Sequence, residues 1–119
     1  MADQRFLPQH RIRRNDDFQR VFKRRRSVSD AVLIVYACRN GLAYPRLGLS
    51  VSRKVGGAVR RNRWKRVLRE AFRLSRPDLP TGVDLVIIPR ATAEPELAPV
   101  TQSLVRLAHR VDGRLKRDA

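Results

Sequence analysis

Five cations open one predicted helix of this chain, directly after a pair of glycines at positions 56 and 57. They are Arg60, Arg61, Arg63, Lys65 and Arg66. A helix N-terminus already carries roughly half a positive elementary charge, so acidic side chains are the ones that stabilise it. Cations there destabilise the helix unless a polyanion binds, and free backbone N–H groups at a helix start suit phosphate oxygens. The pattern therefore indicates phosphate binding, with a solvated basic helix face as the simpler alternative.

The helix that positions these cations is amphipathic. At 100° per residue its apolar side chains fall on one arc of about 160°: Trp64, Val67, Leu68, Ala71, Phe72 and Leu74. Polar and basic side chains fall within about 100° on the far side: Asn62, Lys65, Arg66, Arg69 and Arg73. We therefore predict a helix with one core face and one basic stripe, which ends near Ser75 because Pro77 disfavours helical geometry before it.

Three aromatic residues could contact nucleic-acid bases. Asn15 is a good N-cap for a helix running to about Lys23, and Phe18 and Phe22 share a face of this helix with Val21. Tyr36 belongs to a predicted strand over residues 32–38. Packing in the core is the default role of such rings, and stacking on bases is the alternative.

Groups that could perform catalysis are scattered along the sequence. His10 and His109 are far apart, and the carboxylates form no pair or metal-ligand cluster at a useful spacing. The single cysteine, Cys38, lies in an apolar strand, where a buried inert thiol is expected. We therefore do not expect the chain to be catalytic by itself.

The charge balance indicates a polyanionic partner. The 119 residues include 27 Lys and Arg against 11 Asp and Glu, a net charge of +16. Nucleic acid is favoured over an anionic membrane because the predicted strands cover the apolar helix faces. No segment resembles a signal peptide or a membrane span, so a cytoplasmic protein is the default. A chain of this length is expected to form one RNA-binding domain over residues 1–119.

The cations are concentrated in two segments. Residues 5–26 hold nine basic and two acidic side chains, and residues 53–76 hold ten basic and one acidic. If both segments lie on one side of a sheet, they form a basic wall beside a groove holding the three aromatic rings. Such a groove binds single-stranded nucleic acid without reading its sequence.

The remaining sequence predicts strands and one further helix. In residues 46–52, Leu47, Leu49 and Val51 alternate with a face of Arg46, Gly48, Ser50 and Ser52. The small residues on that second face fit either a bound nucleic-acid strand or a protein cover. Residues 83–88 form another apolar strand, and residues 96–111 form a last helix. Residues 1–14 are predicted to be a flexible basic arm, and residues 112–119 a frayed tail.

The order α-β-β-α-β-α favours an α+β fold, a single-layer, mainly antiparallel sheet packed with helices.

The segment at residues 46–72, RLGLSVSRKVGGAVRRNRWKRVLREAF, resembles the signature region of the protein subunit of bacterial ribonuclease P. NDDFQRVF at residues 15–22 is similar to the first helix of that family, although Arg25 stands where many of its members have glycine. The resemblance implies a left-handed β-α-β crossover, in a fold shared with a domain of a ribosomal protein. This hand is opposite to the roughly 98% preference of such connections.

The resemblance also implies a function. In that family an RNA subunit removes the 5′ leader of precursor tRNA with Mg²⁺, and the small basic protein binds the catalytic RNA and the leader. The positions implied to contact the RNA subunit are Arg60, Arg61, Asn62, Arg63, Lys65, Arg66 and Arg69. The positions implied to line or flank the leader cleft are Phe18, Phe22, Tyr36, Ser50, Ser52, Arg53 and Lys54. Neither a membrane nor DNA is an expected partner.

Two other classes of function fit parts of the sequence. A structural RNA-binding protein, such as a ribosomal protein, would show the same charge without dependence on precursor tRNA. A DNA-binding helix module would need side chains that read base edges in a major groove. The basic stripe is nearly all Arg and Lys, which favours phosphate contact without sequence readout.

Overall fold

Three helices and a four-stranded sheet make up the part of the chain that the computed structural model describes, residues 6–118. The helices are α1 (Asn15–Arg24), α2 (Ala58–Ser75) and α3 (Leu97–Arg117). The strands are β1 (Ser27–Ser29), β2 (Leu33–Arg39), β3 (Arg46–Leu49) and β4 (Val83–Pro89). The predicted element order holds except for β1, a three-residue strand that the sequence pattern did not reveal.

The sheet has the strand order β1-β2-β4-β3. β2 pairs antiparallel with both β1 and β4, and β3 pairs parallel with β4. Two parallel neighbours need a crossover connection, and α2 supplies it between β3 and β4. The predicted α+β class with a mainly antiparallel sheet is confirmed.

The two faces of the sheet are covered by different helices. On one face α2 and α3 pack over Leu33, Val35 and Leu85, and Trp64 of α2 is fully buried there. On the other face α1 packs over Val86 and the half-buried side of β2. The two basic segments 5–26 and 53–76 therefore supply helices to opposite faces, so they do not form a wall on one side of the sheet.

The segment before α1 is ordered against the sheet, so the predicted flexible arm is wrong for residues 6–14. Pro8–His10 form a short 3₁₀ turn, and the backbone N–H of Ile12 donates to the Leu47 carbonyl at 2.9 Å. His10 and Ile12 are 4% and 5% exposed. These contacts join residues far apart in sequence, which local apolar periodicity does not report. Residues 1–5 lie outside the described part of the chain.

The predicted frayed tail is also wrong, because α3 continues to Arg117. The predicted tail begins at Asp112. Asp112 is instead buried and forms ion pairs with Arg39 at 2.9 Å and with Lys116 at 3.3 Å. Leu115, one turn later, is 3% exposed and belongs to the core.

Two element ends differ from their predicted positions. The N-cap of α1 is Arg14, whose backbone is extended, and Asn15 is the first helical residue. β3 ends at Leu49, three residues before the predicted end, because Ser52 begins a 3₁₀ turn over Arg53–Val55. The Ser52 hydroxyl accepts the Lys54 backbone N–H at 3.3 Å, which stabilises that turn.

Candidate nucleic-acid interface

The start of α2 is exposed and lacks acidic residues. Gly57 is the N-cap and provides no side-chain hydrogen bond, and no acidic residue occurs in the first turn. Gly56 has a φ of 139°, a backbone conformation that favours glycine. The first N–H groups of the helix and its positive dipole end are therefore available to an anion.

The predicted RNA-subunit residues differ in how far the protein itself engages them. Arg60 forms an ion pair with Glu94 at 3.3 Å and donates to the Ala93 carbonyl at 2.8 Å, so protein groups already occupy its guanidinium. Arg61 has a buried Nε without a hydrogen-bond partner in the described structure. Asn62, Arg63 and Arg66 are exposed.

Lys65 and Arg69 line a cavity at the β3 edge of the sheet, which we call the edge cavity. Its volume is about 280 Å³. The residues around it are Phe6, Arg11, Ile12, Arg13, Phe18, Leu47, Leu49, Lys65 and Arg69. The N-terminal segment and α1 thus meet α2 around the edge strand, although the two helices cover opposite faces.

Every ionisable group that lines the edge cavity is a cation, and none has a carboxylate partner among the described residues. Burial, together with the nearby charge of Arg11, lowers the pKa of Arg69 from its usual value. The Arg11 guanidinium lies 5.0 Å from the centre of the Phe6 ring, in cation–π geometry. The edge cavity is therefore a positively charged recess with aromatic walls.

A second recess, the sheet groove, lies on the α1 face, farther along β2 and β4 than the residues that this helix covers. Its floor contains Ile34 and Ile88, which are paired across β2 and β4 and only half-buried. The remaining lining residues are Ser52, Lys54, Val55, Pro89, Arg90, Ala91 and Thr92, and the volume is about 490 Å³. α1 covers the next pair along the sheet, Tyr36 and Val86, but leaves this pair open.

The three predicted aromatic residues lie together on the α1 face. Phe22 and Tyr36 contact each other edge to face, with ring centres 5.1 Å apart. Phe18 lies over Gly48, where an added Cβ would be 2.9 Å from the ring. All three rings are half-buried, so each one packs in the core and also presents part of its surface to solvent. At Gly48 the small residue is explained by a protein cover and not by a bound strand.

The polar residues predicted beside the leader cleft follow the end of β3. Ser50 is half-buried, and its backbone N–H donates to the Ile87 carbonyl at 3.0 Å. Ser52, Arg53 and Lys54 are exposed, and Ser52 and Lys54 line the sheet groove. Arg53 is adjacent in sequence but does not line it.

The fully buried carboxylate of Asp84 has a structural role in the α1 face. It accepts hydrogen bonds from Arg46 at 2.6 and 2.8 Å, from Arg20 at 3.0 Å and from Asn40 at 2.9 Å. Burial alone would raise the pKa of Asp84, but the hydrogen bonds from Arg46 and Asn40 outweigh it and lower the pKa. Arg20 of α1 and Arg46 of β3 thus use their charges to hold these two elements on the sheet.

Cys38 is buried on the same face, 4% exposed, as predicted for an inert thiol. Burial raises the pKa of the Cys38 thiol. A raised pKa keeps the sulfur protonated at neutral pH and so unreactive.

The structure adds candidate binding residues that the sequence did not reveal. Arg11 and Arg13 line the edge cavity, and Arg90 lines the sheet groove. The predicted flexible arm concealed the first two. Arg90 directly follows a strand that ends at an open groove, and that position was the available signal.

Within residues 6–118 no three His, Cys, Asp or Glu side chains are grouped so that they could hold a metal ion. Over the same residues, none of the helices combines the length and the apolar character needed to span a membrane.

The structure is an α+β domain with recesses that carry positive charge, and known proteins share its sequence and structure. The family model described as Ribonuclease P matches residues 6–112. The ribonuclease P protein component of Brevibacillus brevis is 43% identical over 103 residues, which cover 85% of this chain and 82% of that protein.

Two solved structures of RNase P proteins resemble this chain in both fold and sequence. The RNase P protein from Thermotoga maritima superposes with a TM-score of 0.75 at 36% identity, covering 84% of this chain and 96% of that one. The Staphylococcus aureus RNase P protein gives a TM-score of 0.74 at 36% identity, covering 85% and 94%. The chain belongs to the family of bacterial ribonuclease P protein components.

Proposed function

We propose that this chain is the protein subunit of a ribonuclease P ribonucleoprotein, an endoribonuclease that removes the 5′ leader of precursor tRNA. In this proposal it binds the catalytic RNA through α2 and binds the leader of the substrate across the α1 face of the sheet. The RNA subunit performs the cleavage. Membership of the ribonuclease P family supports the assignment.

One observation carries the proposal: five cations of α2 have no acidic partner in the described structure. Arg61, Arg63, Lys65, Arg66 and Arg69 have no carboxylate within ion-pairing distance in the described structure. Cations near a helix N-terminus repel both one another and the helix dipole. RNA phosphates would remove this repulsion, and the counterions they release would add to the affinity.

The path of the leader follows the open part of the α1 face. The sheet groove offers an apolar floor at Ile34 and Ile88, with Lys54 at its side. Phe22 and Tyr36 border the same face and expose part of their rings. Aromatic surface beside cations binds single-stranded RNA through stacking and phosphate contacts, without reading its sequence.

In this mechanism the protein positions the substrate and screens phosphate repulsion. Holding the leader beside the RNA subunit turns an encounter between two polyanions into a reaction within one complex. The proposal assigns the Mg²⁺ ions of the cleavage reaction to the RNA. The chain's own residues bind and orient RNA.

Cleavage of precursor tRNA tests the proposal. The reaction is run at low Mg²⁺ with a bacterial ribonuclease P RNA from a matching source, with and without the chain, and with the chain alone. We expect efficient cleavage only when RNA and protein are both present. Tight RNA binding without any rescue would instead favour a structural RNA-binding protein.

Two sets of variants test the division of surfaces. Arg61→Ala with Arg63→Ala should weaken assembly with the RNA subunit. Phe22→Ala or Tyr36→Ala should weaken the binding of substrates that carry a leader more than the binding of mature tRNA. If both sets of variants reduced the affinity for the RNA subunit and for leader-carrying substrate equally, the proposal of two surfaces would be wrong. Phe18 is less informative, because it lies at the edge cavity beside Lys65 and Arg69.

A further inference from the structure

The C-terminal ends of α1 and α3 meet beside β1, at the sheet edge opposite β3. Asp118, which follows α3, forms an ion pair with Arg26 and another with Arg24 at 3.5 Å. Arg114 donates to the Ser27 carbonyl of β1 at 3.0 Å. The two helix ends are therefore joined, and we call this region the α1–α3 corner. Its arginines are Arg24, Arg25, Arg26, Arg110, Arg114 and Arg117.

The corner carries more positive charge than the fold requires. Each helix C-terminus has about half a negative elementary charge, so one or two cations would complement both ends. Six arginines are present, and in the described structure Asp118 forms ion pairs with two of them, Arg24 and Arg26. The side chains of Arg25, Arg110 and Arg117 are exposed and make no hydrogen bond or ion pair in the described structure.

Arg25 also has an unfavourable backbone. It caps α1 in the left-handed conformation, with φ 55° and ψ 30°, and it is the single non-glycine residue with positive φ among residues 6–118. Glycine is the residue that a helix end of this kind favours. A cation is thus held at a strained position within a cluster of like charges, and backbone outliers of this kind concentrate at functional sites.

We propose that the α1–α3 corner is a second RNA-binding surface, which holds the phosphates of a double-helical segment of the RNA subunit. The aromatic rings beside the corner, Phe22 and Tyr36, are half-buried against each other on the α1 face, so the stacking surface lies there and the corner itself offers arginines. Arginine suits bidentate contact with phosphate. The identification of this RNA as the RNA subunit rests on the proposed function. The positive charge of the corner and the strained backbone of Arg25 are independent of that function.

The corner lies across the sheet from the edge cavity, because β1 and β3 are opposite edges. A protein with phosphate-binding surfaces at both edges contacts two separate RNA segments at once. The chain thereby holds a helical segment of the RNA subunit in a fixed position relative to the leader.

Arg25→Gly separates this role from a structural one. If Arg25 stabilised the fold, the substitution would lower the melting temperature, whereas an RNA-binding role predicts a higher melting temperature and weaker RNA binding. The substitution relieves the left-handed strain and one source of charge repulsion, so the melting temperature of the free protein should rise. Affinity for a 20-base-pair RNA duplex of mixed sequence, measured by fluorescence anisotropy, should fall about five-fold at 150 mM salt. The slope of log affinity against log salt should fall by about 0.9.

Arg110→Ala with Arg117→Ala extends the test and should weaken duplex binding about 25-fold if each arginine contacts one phosphate. Lys116→Ala is the matched control. This substitution removes a cation from the last turn of α3, the turn that also holds Arg117. Lys116, however, lies about 120° around the helix from Arg110 and pairs with Asp112. Duplex affinity of this control should stay unchanged.

Three results would overturn the proposal. They are unchanged duplex affinity in Arg25→Gly, an equal loss in Lys116→Ala, and weaker binding of precursor tRNA with unchanged binding of the full-length RNA subunit. Duplex binding by the free protein is independent of cleavage, so failure here is distinguishable from failure of the proposed function, which the cleavage assay with the unaltered chain reports.

Discussion

The two faces of the sheet are built on different principles. The α2–α3 face is closed: Leu33, Val35, Leu85 and Ile87 are fully buried, and Trp64 packs among the residues of this core. On the α1 face, one ten-residue helix covers Tyr36 and Val86 and leaves Ile34 and Ile88 open. The closed face provides stability, and the open face is the surface that the proposed function assigns to the leader. Substitutions on the two faces should therefore affect different measurements.

The largest expected effect is loss of stability from the closed face. Trp64→Ala should lower the free energy of unfolding by about 3–5 kcal/mol, because the ring is fully buried and leaves a cavity. Urea unfolding of the free protein measures this. Trp64→Phe should be far milder, since the indole Nε1 has no hydrogen-bond partner in the described structure. Equal losses for both variants would contradict the packing account.

A smaller loss is expected where α1 meets the sheet. Gly48→Ala places a Cβ 2.9 Å from the Phe18 ring, so the ring must move. This shift should lower the free energy of unfolding by about 1–2 kcal/mol. Thermal unfolding checks it. Gly113→Ala in α3 is the control, since a Cβ there contacts nothing within 4 Å and alanine favours a helix. The control should gain up to about 1 kcal/mol, and a loss there would contradict the helix assignment past Asp112.

Asp30 links β1 and β2 to α3 and should make stability depend on acid. Burial opposes ionisation, but hydrogen bonds from Ser103 and from the backbone of Leu33 and Val32 lower the pKa of Asp30 to about 2. A lowered carboxylate pKa stabilises the fold above the unfolded value near 4, and this contribution disappears as pH falls from about 4 to about 2.

Asp30→Asn should therefore cost about 1 kcal/mol at pH 7, given partial solvent screening, and should reduce the loss of stability between pH 4 and pH 2. Unfolding free energies measured at several pH values give the comparison. An unchanged pH profile would show that Asp30 does not carry this dependence.

The smallest effect on stability is expected in the open groove. Lys54→Ala should change the free energy of unfolding by less than about 0.5 kcal/mol, because the side chain is exposed. The holoenzyme should nevertheless bind precursor tRNA about four-fold more weakly at 150 mM salt, while mature tRNA is unaffected. A loss of stability without a loss of leader affinity would remove the distinction between the two faces.

Local spacing in the sequence predicted the elements that have a strong apolar period. Most of the core face of α2 is as predicted, since Trp64, Leu68, Ala71 and Phe72 are all fully buried. Val67 is only half-buried, and the prediction is wrong for Leu74, which is exposed near the end of the helix. The alternation around Gly48 also placed Leu47 in the core and Gly48 on the other face. In each case the periodicity of one element is enough to define its buried side.

Contacts between distant segments account for the failures. Ile12 is held by the carbonyl of Leu47, and Asp112 is held inside α3 by Arg39 of β2. β1 depends on pairing with β2, since three residues carry no period of their own. Phe18, Lys65 and Arg69 were named as candidate binding residues from the sequence, but their common recess, the edge cavity, was not predicted, because Arg11 and Phe6 reach it from a segment without periodicity.

The N-terminal segment also affects how the chain behaves among its own copies. An open strand at a sheet edge can pair with the same strand of another molecule, which leads to aggregation. Arg11 forms a parallel bridge with Leu47, and so covers the backbone of β3 with a cationic segment. At the other edge, β1 is only three residues long, and Arg114 occupies its Ser27 carbonyl. Both edges are thus protected from self-pairing in the free protein.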